Sequence, residues 1–264
     1  MRFWDESMFA VNTYEMMKNG QYFALFFDGK PDLFNTKPPL TSWLQLLSVK
    51  ALGYNEMAIR LPSALASIIS VFALFQFLFK NFSAQLAWIS ILILVTTQGY
   101  VGFHTSRTGD SDALLSCFLL LGNLQILNYL LHQKKQSILY FFMFLTLAAL
   151  AKLFAGILFL PSILVILLWQ KKLKAVVLTW QFLFGLIGFL AIATSVLLLR
   201  EAANPGYLTI AFGKDAGRVF DVIEGHQESA LYYVDLLFNA QFSIYMLFTI
   251  IGLFATAWFK GPLK

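Results

Sequence analysis

Charge is what this sequence has least of. Of its 264 residues 12% are charged, against roughly a quarter in an ordinary soluble domain, and that excludes a conventional water-solvated globule. Cysteine is almost missing: Cys117 stands alone in an apolar run, so no disulfide framework exists and the redox compartment stays open. There are no internal repeats, no low-complexity tract, and no signal-peptide pattern ahead of Asp5. The net charge is +5, but the basic residues are scattered between apolar stretches. They form no stripe that could track phosphates, so no nucleic-acid partner is expected.

What is abundant is apolar. The chain is 59% hydrophobic, with 28 Phe and 6 Trp, bulk that suits lipid contact and interfacial anchoring. Against a hydrocarbon thickness of ~30 Å, about seven stretches read as spans: 58–79, 84–103, 112–131, 137–151, 153–169, 174–199 and 233–259. The fourth and fifth are short and meet at Ala151-Lys152. The fold class expected is an all-α polytopic membrane protein, and its expected partners include membrane lipids.

Threading these spans puts Lys80, Lys134, Lys135, Lys171, Lys172, Lys174, Lys260 and Lys264 on one side, with no acidic residue among them. The other side receives the remaining 11 of 19 basic residues and all 14 acidic ones. By the positive-inside rule the first side is cytoplasmic. Polar chemistry is then expected on the outer face, in three segments: 1–57, 104–112 and 200–232. The expected division is an outer loop 1–57 followed by a transmembrane domain 58–264 that carries the other two outer loops.

Within the first outer segment, residues 6–19 followed by Gly20 read as a short helix with Met8, Phe9, Val11 or Asn12, Met16 and Met17 on its apolar face. Asp5 falls at its N-cap or first turn, where backbone N–H groups favour a carboxylate. After the loop F-D-G-K-P-D-L-F-N-T comes a second short helix, with Pro38 and Pro39 in its first turn and a stripe of Leu40, Trp43, Leu44 and Leu47. Both helices are expected to lie in the interface plane. Locally, Asp5-Glu6 reads as a helix cap, Lys37 as a snorkelling lysine, and Arg107 with Asp110 and Asp112 as an interfacial charge cluster.

The order of the pieces points further. W-D-E-S-x2-A-x3-Y-E-M-x2-N-G, F-D-G-K-P, K-P-P-L-x2-W-L and G-Y-N-E-x-A-I-R-L-P-S-A-L follow one another. S-R-T-G-D-S-D-A-L-L, A-K-L-F-A-G-I-L and R-E-A-A-N-P-G-Y-L…G-R-V-F-D-V-I-E-G-H-Q-E-S-A-L-Y-Y come after them. Together they resemble the C-type polytopic membrane glycosyltransferases, in the bacterial branch of lipid A aminoarabinose transferase and relatives of the protein O-mannosyltransferases.

The resemblance implies transfer of a sugar from a polyprenyl-phosphate donor to a lipid, glycan or protein acceptor, with inversion. The expected place is the outer leaflet of the bacterial inner membrane. By position Asp5 matches the base, Glu6 is its orienting neighbour, and Asp110 or Asp112 matches a second outer-loop carboxylate. Lys37 matches the lysine beside the donor phosphate, with Arg60, Arg107, Lys152, Arg200 and Arg218 as further cations for it. His226, Tyr232 and Tyr233 fall at the rim. In that branch a histidine and a Glu before the Lys-Pro motif hold zinc, but here Thr36 stands in the Glu position. One histidine without its partner is a poor metal site, so no cofactor is expected. The family usually opens with a transmembrane helix and carries more spans, so the chain is expected to be an interior piece of a longer enzyme. The rival classes are a transporter or flippase, which would place functional charges near the midplane, and a scaffold derived from the same fold.

Overall fold

The computed structural model describes residues 5–102, 105–220, 231–235, 238 and 244–258. Helix α1 (Asp5–Asn19) carries Asp5 and Glu6 in its first turn, where the exposed N–H groups favour acidic side chains. It stops at Gly20, whose φ is 67°. Strands β1 (Phe26–Phe27) and β2 (Lys30–Pro31) then form an antiparallel hairpin with Phe27 opposite Lys30. Asp28 and Gly29 between them have φ of 52° and 71°, as a two-residue type I′ turn requires. The expected loop is therefore a hairpin, and its Asp-Gly pair is the local signal for one.

Helix α2 (Leu40–Leu52) begins after Pro39, its N-cap residue, so both prolines precede the helix instead of filling its first turn. Pro39 still contributes its carbonyl, which accepts from the Trp43 N–H at 2.9 Å. The buried faces of α1 and α2 also differ from the apolar stripes expected. On α1 the buried residues are Glu6, Phe9, Ala10, Asn12, Thr13 and Met16, while Met17 is exposed. On α2 they include Thr41, Ser42, Gln45, Leu46 and Val49, while Leu47 is exposed. Hydrogen bonding explains the burial of Thr13 and Gln45, though among the described residues the Thr41 and Ser42 hydroxyls have no such partner. Thr13 donates to Gln45 Oε1 at 2.9 Å, and polar groups buried in pairs cost little, whereas apolar groups facing lipid lose nothing.

The remaining elements follow as α3 (Glu56–Asn81), α4 (Ala84–Thr96), α5 (Gln98–Val101), α6 (Asp112–His132) and α7 (Gln136–Ala151). After them come α8 (Leu160–Trp169), α9 (Leu173–Val177), α10 (Trp180–Ala203), α11 (Tyr207–Phe220), α12 (Tyr232–Asp235) and α13 (Ile244–Trp258). Helices α3, α6 and α10 are long and apolar enough to cross a membrane; at 1.5 Å per residue they extend about 39, 32 and 36 Å. The other expected spans are shorter or divided. The stretch 84–103 breaks at Thr97, which is extended with ψ 126°. The stretch 153–169 is helical only from Leu160, and 174–199 is interrupted at Thr179, whose hydroxyl caps α10 by accepting from the Phe182 N–H. Of 233–259, the described residues include the four-residue α12 and the 15-residue α13, both shorter than a membrane span.

Helix α7 is the centre of the bundle. It packs between α6 and α10 and buries Ile138, Phe141, Phe142 and Leu145 with Ile126, Tyr129, Ile163 and Leu167. Gly185 lets α10 approach, because a Cβ there would come within 2.4 Å of the Phe142 ring. A second cluster of Leu40, Ala66, Leu114, Cys117, Leu150, Ala151 and Val196 lies under α2. It joins the N-terminal segment to the bundle and keeps Cys117 buried.

The bundle has two chemically distinct ends. At one, His132 hydrogen-bonds Asn81 at 2.6 Å and Lys172 reaches Gln133, beside the lysines of 134–135 and 171–174. At the other, α1, the residues before α2, the start of α3, the 105–111 loop, the end of α7 and the end of α10 converge.

Candidate active site

Two adjacent residues on α1 enter different environments at that second end. Asp5 accepts a hydrogen bond from Lys37 Nζ at 2.8 Å, and its side chain is 33% exposed. Glu6 is 3% exposed and takes a bidentate pair from Arg60, Nε to Oε1 at 2.5 Å and Nη2 to Oε2 at 2.9 Å. Its Oε1 also accepts the Gly109 backbone N–H at 3.0 Å. Glu6 therefore ties α1 to α3 and the 105–111 loop.

Lys37 is held from several directions. Its ammonium lies 5.1 Å from the Phe9 ring centre, a cation–π arrangement. Its N–H donates to Asn35 Oδ1 at 3.2 Å. Behind it runs a buried amide network. Asn12 Nδ2 donates to Asp32 Oδ2 at 2.9 Å and to the Phe26 carbonyl at 2.8 Å. Asn35 Nδ2 donates to Asn12 Oδ1 at 2.8 Å, and Asp32 Oδ1 accepts the N–H groups of Phe34 and Asn35 at 3.0 Å each. Asn204 Oδ1, beyond the end of α10, accepts the Leu25 N–H at 3.1 Å.

The second carboxylate pair is separated by the structure. Asp110 is 1% exposed; its Oδ2 accepts from the Thr108 hydroxyl at 3.0 Å and its Oδ1 from the Asp112 N–H at 3.3 Å. Ser63 of α3 donates to the Asp110 carbonyl. Asp112, at the start of α6, pairs instead with Lys152 at the end of α7, at 2.6 Å. That contact lies to one side and closes the α6–α7 mouth.

Of the expected cations, Lys37 and Arg60 sit in the central cluster and Lys152 beside it. Arg107 is exposed on the 105–111 loop. Arg200 is 1% exposed and donates to the backbone carbonyls of Lys37 and Asn35. Arg218 is on α11, but its side chain lies outside the described set, as do His226 and the side chain of Tyr233; Tyr232 opens α12. Among the described residues no three His, Cys, Asp or Glu side chains converge as a metal site.

Sequence reasoning missed Asn12, Asp32, Asn35, Gln45, Asn204 and Tyr207. Gln45 Nε2 donates to the carbonyls of Ile59 and Gly109 at 3.1 and 2.6 Å. For Asn12 and Gln45 the signal was a polar residue on an expected helix; Asp32, Asn35, Asn204 and Tyr207 lay within the quoted motifs but had no role assigned.

Asp5 also lines a cavity of about 520 Å³ with Ser7, Met8, Phe27, Pro31, Asp32, Leu33 and Phe34. Of the four candidate carboxylates it is the most exposed for which the cavity is within reach. It therefore combines a cation neighbour with access to a bound molecule. Residues 36–198 match the pattern of the family described as dolichyl-phosphate-mannose-protein mannosyltransferase. The chain belongs to this family. It is 28% identical over 171 residues to YycA, a proposed mannosyltransferase of Bacillus subtilis (strain 168), covering 62% of this chain and 25% of that protein. It is 30% identical over 112 residues to YkcB of the same organism, also a proposed mannosyltransferase, covering 42% and 15%.

Its fold resembles that of ArnT from Cupriavidus metallidurans. The likeness to the crystal structure bound to undecaprenyl phosphate has a TM-score of 0.79 at 19% identity, over 97% of this chain and 46% of that one. The apo structure gives 0.73 at 18% identity. The chain thus spans less than half the length of each of these relatives. Membership of this family and three described helices long and apolar enough to cross a membrane point to an integral membrane protein.

Proposed function

We propose that this chain forms the reaction end of a polytopic glycosyltransferase that moves a sugar from a polyprenyl-phosphate donor to an acceptor hydroxyl at the outer leaflet. The observation that carries the reading is the Asp5–Lys37 contact of 2.8 Å, a carboxylate and a cation side by side next to an open cavity. It lies at the membrane end opposite the lysine-only loops. Family membership supports the chemistry, and the undecaprenyl phosphate seen in ArnT supports the class of donor.

The transfer is a single displacement. The acceptor oxygen attacks the anomeric carbon while Asp5 takes its proton, the work of a general base. The bond from the anomeric carbon to the phosphate oxygen breaks, and its electron pair leaves on the polyprenyl phosphate. One displacement inverts the configuration, as in inverting glycoside chemistry. The leaving group is already a stable anion, so Lys37 replaces a general acid by stabilising the charge that develops on it. An ammonium has three donors, so Lys37 can engage a phosphate oxygen while a second donor still faces Asp5. In this reading Arg60 is a structural partner of Glu6, Asp110 shapes the 105–111 loop, and the Asp112–Lys152 pair anchors α6 to α7. Arg107 and Arg218 remain the basic side chains that a phosphate could recruit, with His226, Tyr232 and Tyr233 at the rim. The extracytoplasmic face of the plasma membrane is the proposed place of reaction.

The test uses the full-length protein in liposomes with undecaprenyl-phosphate-linked [¹⁴C]mannose and membranes of the source cell as acceptor. The reading expects label to move into membrane lipid, glycan or protein, with an inverted anomeric centre in the product. Movement of intact donor between leaflets, with no label transferred, would instead identify a flippase.

A further inference from the structure

The turn that carries Lys37 should not hold its shape alone. It lies between β2 and α2, and Pro38 and Pro39, which follow, have no N–H to donate. Among the described residues the carbonyls of Asn35, Thr36 and Lys37 accept no backbone hydrogen bond, and buried carbonyls need donors. All three are satisfied from one distant place. Arg200, in the last turn of α10, donates Nη1 to the Lys37 carbonyl and Nη2 to the Asn35 carbonyl. Tyr207, at the start of α11, donates its hydroxyl to the Thr36 carbonyl at 2.9 Å.

The two side chains act as one unit, because the guanidinium lies 4.1 Å from the Tyr207 ring centre. Both are fully buried, Arg200 at 1% and Tyr207 at 0% exposure. Among the described residues Arg200 Nε has no hydrogen-bond partner of its own. A cation buried at the end of a membrane helix is costly and is retained for use or pairing. Here it is spent on backbone carbonyls, so it is not available to a phosphate. A guanidinium suits this task because its planar fork reaches two acceptors in fixed geometry, which an ammonium does not. Nothing in residues 36–198, the part that matches the family, includes either side chain.

We infer that Arg200 and Tyr207 are positioning residues: they clamp the 35–37 backbone so that the Lys37 ammonium is fixed beside Asp5 and meets the donor phosphate. The inference rests on the proposed role of Lys37 and deepens it, by moving Arg200 from the phosphate to the backbone that presents the phosphate ligand. The end of α10 then senses the donor site through the chain, and not through a contact with the donor.

The test is a double-mutant cycle on the full-length protein in detergent, reading undecaprenyl phosphate binding by intrinsic tryptophan fluorescence. Lys37→Ala is expected to raise the Kd about tenfold, Arg200→Ala by a similar factor and Tyr207→Phe by roughly threefold, as a misplaced ligand group does. In the Lys37→Ala background, neither Arg200→Ala nor Tyr207→Phe should weaken binding further, because each acts only through Lys37. Tyr207→Phe keeps the ring and the packing, so it decides the matter if Arg200→Ala fails to fold. Effects that multiply with that of Lys37→Ala would overturn the inference. So would a Kd unchanged in both clamp variants while Lys37→Ala weakens binding, which leaves the Lys37 reading intact. If Lys37→Ala itself leaves the Kd unchanged, the phosphate role of Lys37 falls, and the clamp inference with it.

Discussion

A Cβ added at Gly109 would lie 2.7 Å from Ile59 Cγ2, 3.0 Å from the Ile59 carbonyl oxygen and 3.3 Å from Gln45 Nε2. The carbonyl cannot retreat without unwinding the start of α3, so Gly109→Ala should overpack the junction and cost about 1–3 kcal/mol. A lowered melting temperature of the detergent-solubilised protein checks this, and an unchanged one contradicts the close approach. The same residue shows what a sequence can and cannot reveal at this scale. Asp5, Glu6, Lys37, Arg60 and Asp110 were picked out as candidates by the family resemblance, since locally they read as a helix cap, a snorkelling lysine and interfacial charges. Their partners were not. That Glu6 turns to Arg60 and Gly109 while Asp5 turns to Lys37 depends on which side of α1 meets α3, and no spacing encodes that. The separation of Asp110 from Asp112 likewise rests on Lys152, forty positions away.

Helix α2 carries the main polar link between elements. Gln45 accepts from Thr13 of α1 and donates to Ile59 of α3 and Gly109 of the 105–111 loop. Gln45→Leu keeps the size but removes the hydrogen bonds to the Thr13 hydroxyl and to the Ile59 and Gly109 carbonyls, a loss of about 3 kcal/mol. Unfolding in a denaturing detergent titration should register it, whereas substitution of exposed Leu47 should not. Elements with an apolar period were readable: α1, α2, α3, α6 and α7 begin and end close to their expected positions. Breaks inside apolar stretches were not, because Thr97 and Thr179 interrupt helices without Pro or Gly. The β1–β2 hairpin was overlooked for the opposite reason, since two-residue strands have no period, although Asp28-Gly29 is a turn signal. The buried faces of α1 and α2 misled because the outer segment packs through amides and hydroxyls, as Asn12, Thr13 and Gln45 show.

At the scale of the whole molecule, the carboxylates of Asp5, Glu6, Asp32, Asp110 and Asp112 gather at one end of the described bundle, and Lys134, Lys135, Lys171 and Lys172 lie at the other. In a Cys117→Ser background, a cysteine introduced at Lys30 should react with an impermeant maleimide in intact cells. One introduced at Lys134 should react only after permeabilisation, and the reverse pattern would contradict the proposed sidedness. The chain covers 25% of YycA and 46% of ArnT, so these assays belong to the full-length protein. The most direct test of the account is Asp5→Asn in that protein, comparing sugar transfer with undecaprenyl phosphate binding. Loss of the base predicts a fall in transfer of about 10²–10⁴-fold, with binding changed only a fewfold because Lys37 remains. Transfer within a fewfold of the unaltered enzyme would show that Asp5 is not the base, and the account of this site would be wrong.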